Sequence, residues 1–138
     1  MVAFAGGLVD LADLPTDTGW IAPAYTVAAT VTDVEIHGRI YGNVASIYLF
    51  CLVDLTNVPT SGNVVNTDLV TIDDARFVPS SAPREQGLGS GGRGRNQDFA
   101  IWPDGRIRLV ALAASSDWTG PVNISDQEMT ASGLYLVN

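Results

Sequence analysis

Residues 33–54 read DVEIHGRIYGNVASIYLFCLVD, and the two halves of this stretch behave differently. The first half alternates, with Val34, Ile36, Gly38 and Ile40 on one face and Asp33, Glu35, His37 and Arg39 on the other. A period of two marks a β-strand with one face toward a core. Gly42-Asn43 supplies the positive-φ residues that a two-residue primed hairpin turn requires. The second half hardly alternates: from Val44 to Val53 only Ser46 is plainly polar. A half-solvated antiparallel strand alternates, so this one asks for cover on both faces. A second sheet supplies one cover, and the other has to come from a further sheet or a neighbouring subunit.

The flanking sequence predicts more strands of the same kind. Tyr25 to Thr32 is rich in Thr, Val and Ala, and Thr67 to Ile72 and Asn96 to Trp102 are also β-like. Pro103-Asp104-Gly105 is a turn signal before Arg106 to Ala113, where Ile107, Leu109 and Ala111 alternate with Arg106, Arg108 and Val110. Val122 to Ile124 and Gly133 to Val137 end the chain as short strands, the last of them apolar enough to be buried on both sides. Ser80 to Arg95, SSAPREQGLGSGGRGR, suits no regular element and reads as a long loop. These elements predict about eight short antiparallel strands in a sandwich or barrel. They form one domain over residues 18–138, preceded by an arm over 1–17. Phe4, Leu8 and Leu11 fall at helical spacing, so a short helix over Leu8 to Leu14 is expected. A helix that short does not hold alone in water. Phe4, Leu8, Leu11 and Leu14 therefore form a docking arm that packs on its own domain or on another chain.

Composition narrows the function. The chain has 138 residues, a formal net charge of −8 and seven basic residues, all arginine. This balance argues against a nucleic-acid backbone as partner, because positive charge supplies most of that affinity. It argues equally against docking on anionic lipid. No apolar run reaches transmembrane length, and no basic segment precedes the apolar N-terminal residues, so folding in a cytoplasm is expected. The single cysteine, Cys51, excludes an internal disulfide and reads as a small buried hydrophobe. All-arginine basic usage with abundant Ala, Val, Gly and Asp suggests GC-rich coding and hints at an actinobacterial or similar source.

Little in the chain points to catalysis. His37 is the only histidine and sits mid-strand, and no serine has a nucleophile context. One His and one Cys do not make a structural zinc site, and no metal or other cofactor is expected. Asp73-Asp74 reads as a solvated corner, with a calcium site as the sharper alternative. Gly87, Gly89 and Gly92 match GxGxxG without the strand and helix that give that motif meaning. Arg84, Arg93 and Arg95 form the one basic cluster. Among Trp20, Trp102 and Trp118, the last is the best candidate for stacking on a sugar ring, since Asp117 and Thr119 flank it. The candidate ligand-binding set is therefore Trp118, Asp117, Arg93 and Arg95.

The order of the short motifs adds a resemblance. DTGW at 17–20, EIHGRIYGNVASIYL at 35–49, RFVPSSAPRE at 76–85, FAIWPDGRIRLVAL at 99–112 and MTASGLYLV at 129–137 follow one another. In this the chain resembles the small β-rich domains of tailed-phage minor tail and tail-fibre proteins, over about residues 4–138. Arg39 to Val44 matches that family's strand-pair element, while Phe77-Val78-Pro79 with Pro83-Arg84 matches its proline corner loosely. The resemblance implies a β-sandwich of jelly-roll type, a homotrimer and a place in the virion. It implies a tail-tip protein that binds a host surface glycan or, alternatively, a capsid decoration protein or head fibre docked on other virion proteins through its N-terminal arm. No enzymatic activity is expected. A three-fold neighbour would supply the second cover for Val44–Val53, with Tyr48, Phe50 and Cys51 at the subunit interface.

Overall fold

The computed structural model describes residues 2–4, 7–9, 14–58, 64–80, 85–90, 97–112 and 121–138, with backbone alone for 2–4, 7–9, 64 and 65. The described chain is all-β. Its strands are β1 (Val2–Phe4), β2 (Gly7–Val9), β3 (Tyr25–Val27), β4 (Val31–Tyr41), β5 (Val44–Val58), β6 (Val64–Ile72), β7 (Gln86–Ser90), β8 (Gln97–Ile101), β9 (Arg106–Leu112) and β10 (Val122–Leu136). One 3-10 turn, Ala75–Phe77, interrupts them. No helix among the described residues is long and apolar enough to cross a membrane.

β1 and β2 pair as a separate antiparallel hairpin, with Phe4 opposite Gly7 and Ala3 opposite Leu8. The helical reading of Phe4 and Leu8 is thereby corrected, because both lie in extended chain. Leu11 is outside the described residues, and Leu14 is exposed. The other eight strands form one antiparallel sheet in the order β3-β6-β9-β8-β7-β10-β5-β4.

Two segments turn this sheet back on itself. β7 pairs with β8 through Gln86–Leu88 and with β10 through Gly89 and Ser90. On the opposite side, Asp17 and Ile21 bridge to Tyr41 and Gly38 of β4, and after Pro23 the chain pairs with β6 as β3. Each segment changes partners midway, which is how a sheet turns a corner between two packed layers. The result is sandwich-like: β4, β5 and β10 form one half, and β6, β9 and β8 the other. Their inner faces share one core, containing Ile36, Ile47, Leu49, Leu69, Phe99, Ile101, Ile107, Leu109, Met129 and Tyr135.

Several boundaries differ from the sequence reading. The expected strand Tyr25–Thr32 is split by a turn at Ala29-Thr30, where Val31 donates to Ala28. β10 is one strand and not two, because the polar run at 125–128 bulges beside Asp126 without breaking the pairing. β7 lies in the glycine-rich stretch that suited no element. Its pairing is made through the backbone, which no side-chain pattern announces. In the β4–β5 turn Gly42 has φ 60, and Asn43 is not left-handed. One positive φ, at the first central position, is the type II′ form of the primed turn.

Gly38 and Gly105 are required by close approach. A side chain on Gly38 would enter the Phe77 ring, and one on Gly105, whose φ is +87, would strike the Ile72 carbonyl. The Tyr135 hydroxyl donates to the Phe77 carbonyl at 2.8 Å, so β4, the 3-10 turn and β10 lock together at one point.

Candidate interaction face

β5 alternates after all. Ala45, Ile47, Leu49, Cys51 and Val53 are buried, and Val44, Ser46, Tyr48, Phe50 and Leu52 between them are half-buried. Its outer residues are apolar as well, which hid the period in the sequence. The register places β4 and β10 residues beside them in rows across the sheet. Tyr41, Val44 and Leu136 form one row; Arg39, Ser46 and Leu134 the next; His37, Tyr48 and Ser132 the third; Glu35, Phe50 and Thr130 the fourth. β10 alternates too: Tyr135 and Val137 are buried, whereas Leu134 is 71% and Leu136 55% exposed. The expectation that the final strand is buried on both sides therefore holds only for its inner residues.

The chain before β3 completes this face. Thr18 and Ile21 donate backbone hydrogen bonds to Ile40 and Gly38, and Gly42 donates to Thr16. The free edge of β4 is thereby closed from Gly38 to Gly42, which removes that part as an open template for strand pairing. Ile21 packs against the core, and the adjacent Trp20, in the bend before it, is 57% exposed. Tyr41 is 53% exposed. Of the six large apolar residues exposed among the described residues, Leu14, Trp20, Tyr41, Leu134 and Leu136 belong to this half and Val27 alone to the other.

Asp17 and Arg39 of the face pair with each other, and Glu35 is hydrogen-bonded to His37. Asp17 grips Arg39 through two hydrogen bonds, of 2.9 and 2.6 Å, and also accepts the Gly19 N–H. These bonds to the ionised form hold the Asp17 carboxyl at about 2. Glu35 meets His37 at 2.8 Å, and the imidazole stacks on Tyr48 with ring centroids 6.4 Å apart. The DTGW motif thus has a local physical role. Asp17 holds Arg39 of the strand-pair motif, the Thr18 hydroxyl accepts the Ile40 N–H, and Gly19 takes the φ of 63 that carries the chain between them.

Of the expected interface residues, Tyr48 and Phe50 stand on this outer face. Cys51 does not: it points into the core, fully buried, and burial pushes its thiol up to about 12. One position along a strand reverses the side chain, so Cys51 and Phe50 cannot share an interface. Trp118, Asp117, Arg93, Arg95 and Leu11 lie outside the described residues, as does Arg84. Asp73-Asp74 is not a paired-carboxylate site. Asp74 caps the 3-10 turn, accepting the Arg76 backbone N–H and pairing with its guanidinium at 2.7 Å, which lowers its carboxyl below the usual range. Among the described residues no group of three His, Cys, Asp or Glu side chains is placed to hold a metal ion.

The opposite outer face has a different chemistry. Asp68 of β6 accepts from Arg108 at 2.6 Å and from Arg106 at 3.3 Å, and Arg106 also reaches Asp104 at 2.7 Å. The Arg108 guanidinium lies 4.9 Å from the centre of the Trp102 ring. A shallow cleft of about 130 Å³ between β3 and β6 is lined by Thr26, Asp68 and Thr71, among others. The arginines predicted to alternate outward along β9 do so.

Comparison with protein-family models and with curated protein sequences finds no match.

Proposed function

We propose that this chain is a structural module of a bacteriophage virion, a homotrimeric minor tail or tail-tip protein that binds a glycan on the host surface. The reading is carried by the order of the sequence motifs from Asp17 to Val137. The places those motifs occupy in the fold support it. Asp17 and Thr18 clasp the Arg39–Val44 hairpin, Phe77 fills the space over Gly38 and is held by Tyr135, and Pro103-Asp104-Gly105 turns β8 into β9 against Ile72. In this chain the motif residues therefore hold one scaffold together. Host specificity then falls to segments between the joints, where the sequence offers Trp118, Asp117, Arg93 and Arg95. The apolar outer face of β4, β5 and β10 supports assembly with other copies.

The test is location and binding. Antibody against the purified protein should label the tail tip of virions, and the protein should sediment with host cell walls. Trp118→Ala should reduce that binding at least 10-fold while leaving the fold intact. Label over the shell would replace the tail reading by capsid decoration, with the N-terminal segment as the docking element. Absence of label from purified virions would end both.

A further inference from the structure

We propose that the outer face of β4, β5 and β10 is the surface on which a second copy of this chain packs, with Tyr48, Leu134 and Leu136 at its centre. The inference rests on the homotrimer reading above and names the surface that reading leaves open.

The first argument is area. Tyr41, Leu134 and Leu136 are each more than half exposed, and together they present on the order of 400 Å² of surface, within the range of the largest apolar patch of a typical monomer. The half-buried Val44, Tyr48, Phe50 and Leu52 extend the patch along β5, toward the roughly 800 Å² per partner of a standard interface.

The second argument is charge. Each copy carries −8 overall, so copies repel unless the contact is made where charge is balanced. On this face Asp17 neutralises Arg39, and Glu35, hydrogen-bonded to His37, is the one carboxylate left over in the four rows, so the face is nearly balanced. Ser46, Ser132 and Thr130 are uncharged. Glu128, across from Leu52 far along β10, lies toward the rim. The opposite face presents Asp68, Asp104, Arg106 and Arg108, whose burial would cost desolvation of several charges at once.

The third argument is the closed edge. Residues 16–21 already occupy the hydrogen-bonding groups of β4 between Gly38 and Gly42. A partner there cannot add a strand by backbone pairing and must pack side chain on side chain. Such a face can close two-fold or three-fold, and it is the homotrimer reading that selects three faces turned toward a common axis.

The experiment measures molar mass by light scattering over 1–100 μM for the wild type, the double variant Leu134→Asp/Leu136→Ser and the single variant Tyr48→Glu. Circular dichroism and urea midpoints report whether each variant folds. The expected result is an assembled wild type and folded variants whose association is at least 100-fold weaker. A folded variant that assembles as well as the wild type overturns this face and leaves the homotrimer reading standing. A wild type that is monomeric at 100 μM overturns the homotrimer reading itself. In that case, a rise in surface labelling of Tyr41 and Tyr48 on removal of residues 1–13 would show that the chain's own N-terminal segment covers the face, and unchanged labelling would leave it bare. Should the double variant fail to fold, Tyr48→Glu carries the test alone, since Tyr48 points away from the core.

Discussion

The two outer faces are built on the same core and the same alternation, yet they meet water differently. Over β6, β9 and β8 the outward positions hold Asp68, Arg106, Arg108 and Trp102, joined by ion pairs and a guanidinium over an indole ring. Over β4, β5 and β10 they hold Tyr41, Val44, Tyr48, Phe50, Leu134 and Leu136, with few charges, Asp17 paired with Arg39 and Glu35 hydrogen-bonded to His37. The first face is finished in water. The second leaves apolar area that water does not favour. The difference shows that an unbroken apolar strand need not be buried on both sides: in β5 it is a buried face and a sticky face read as one run.

Changing what each face stands on gives the largest effect. Phe77→Ala empties the space over Gly38 beneath the apolar half and should cost about 3–5 kcal/mol in urea unfolding. Gly38→Ala forces a methyl into that ring and should cost about 1–3 kcal/mol, partly recovered by Phe77→Leu. On the polar half Arg108→Ala should cost only about 1 kcal/mol, because its partner Asp68 remains in water. Equal costs at Phe77 and Arg108 would show that the two halves are not supported as described.

Next in size is an effect on assembly without one on the fold. Tyr48→Glu should weaken self-association at least 100-fold and shift the urea midpoint of the separated subunit little. Arg106→Ser, on the other face, should leave association unchanged. If Arg106→Ser dissociates the assembly and Tyr48→Glu does not, the roles of the faces are reversed.

Asp68→Asn should lower stability by about 1 kcal/mol or less, since both arginines keep access to water. It should also change Trp102 fluorescence by releasing Arg108 from its position over the ring.

The smallest effect is a pH dependence of the apolar face's own clasp. Arg39 and the Gly19 N–H lower the Asp17 carboxyl from 3.8 to about 2. A depressed carboxyl stabilises the fold at pH above its unfolded value and ceases to do so as pH falls through its folded value. The contribution is thus complete above about pH 4 and lost toward pH 2. Asp17→Asn should flatten the urea-midpoint profile of the wild type in that window and leave it parallel at pH 6–8. A variant profile parallel to the wild type throughout would show that the clasp is not formed in solution.

Much of the sheet was legible because it is written locally. The alternation of Val34–Ile40 and of Arg106–Leu109, the Gly42 turn and the Pro103-Asp104-Gly105 turn are short-range patterns, and each occupies its expected place, whereas the period slips at Val110-Ala111 and Leu112, not Ala111, is the next inward residue. The misses share a cause as well. β7 has two glycines among its five residues and is held by backbone pairing to two different strands. The turn at Ala29-Thr30 has no turn chemistry and is imposed where the chain passes from one half to the other. The left-handed residues Asp33, Asn66 and Asp126, all of types that tolerate that conformation, mark bulges that could have been suspected from composition. For the candidate interface, Tyr48 and Phe50 were legible as apolar strand residues, and Leu134 and Leu136 were misplaced in the core.

The sequence by itself determined that the chain is all-β, where most strands run, and that residues 44–53 carry more apolar surface than one layer uses. Tertiary structure alone decided which residues of that run face inward. In a strand apolar on both sides, composition does not distinguish Cys51 from Phe50. Only the register against β4 and β10, fixed by packing on the opposite half, assigns one to the core and the other to the face left open.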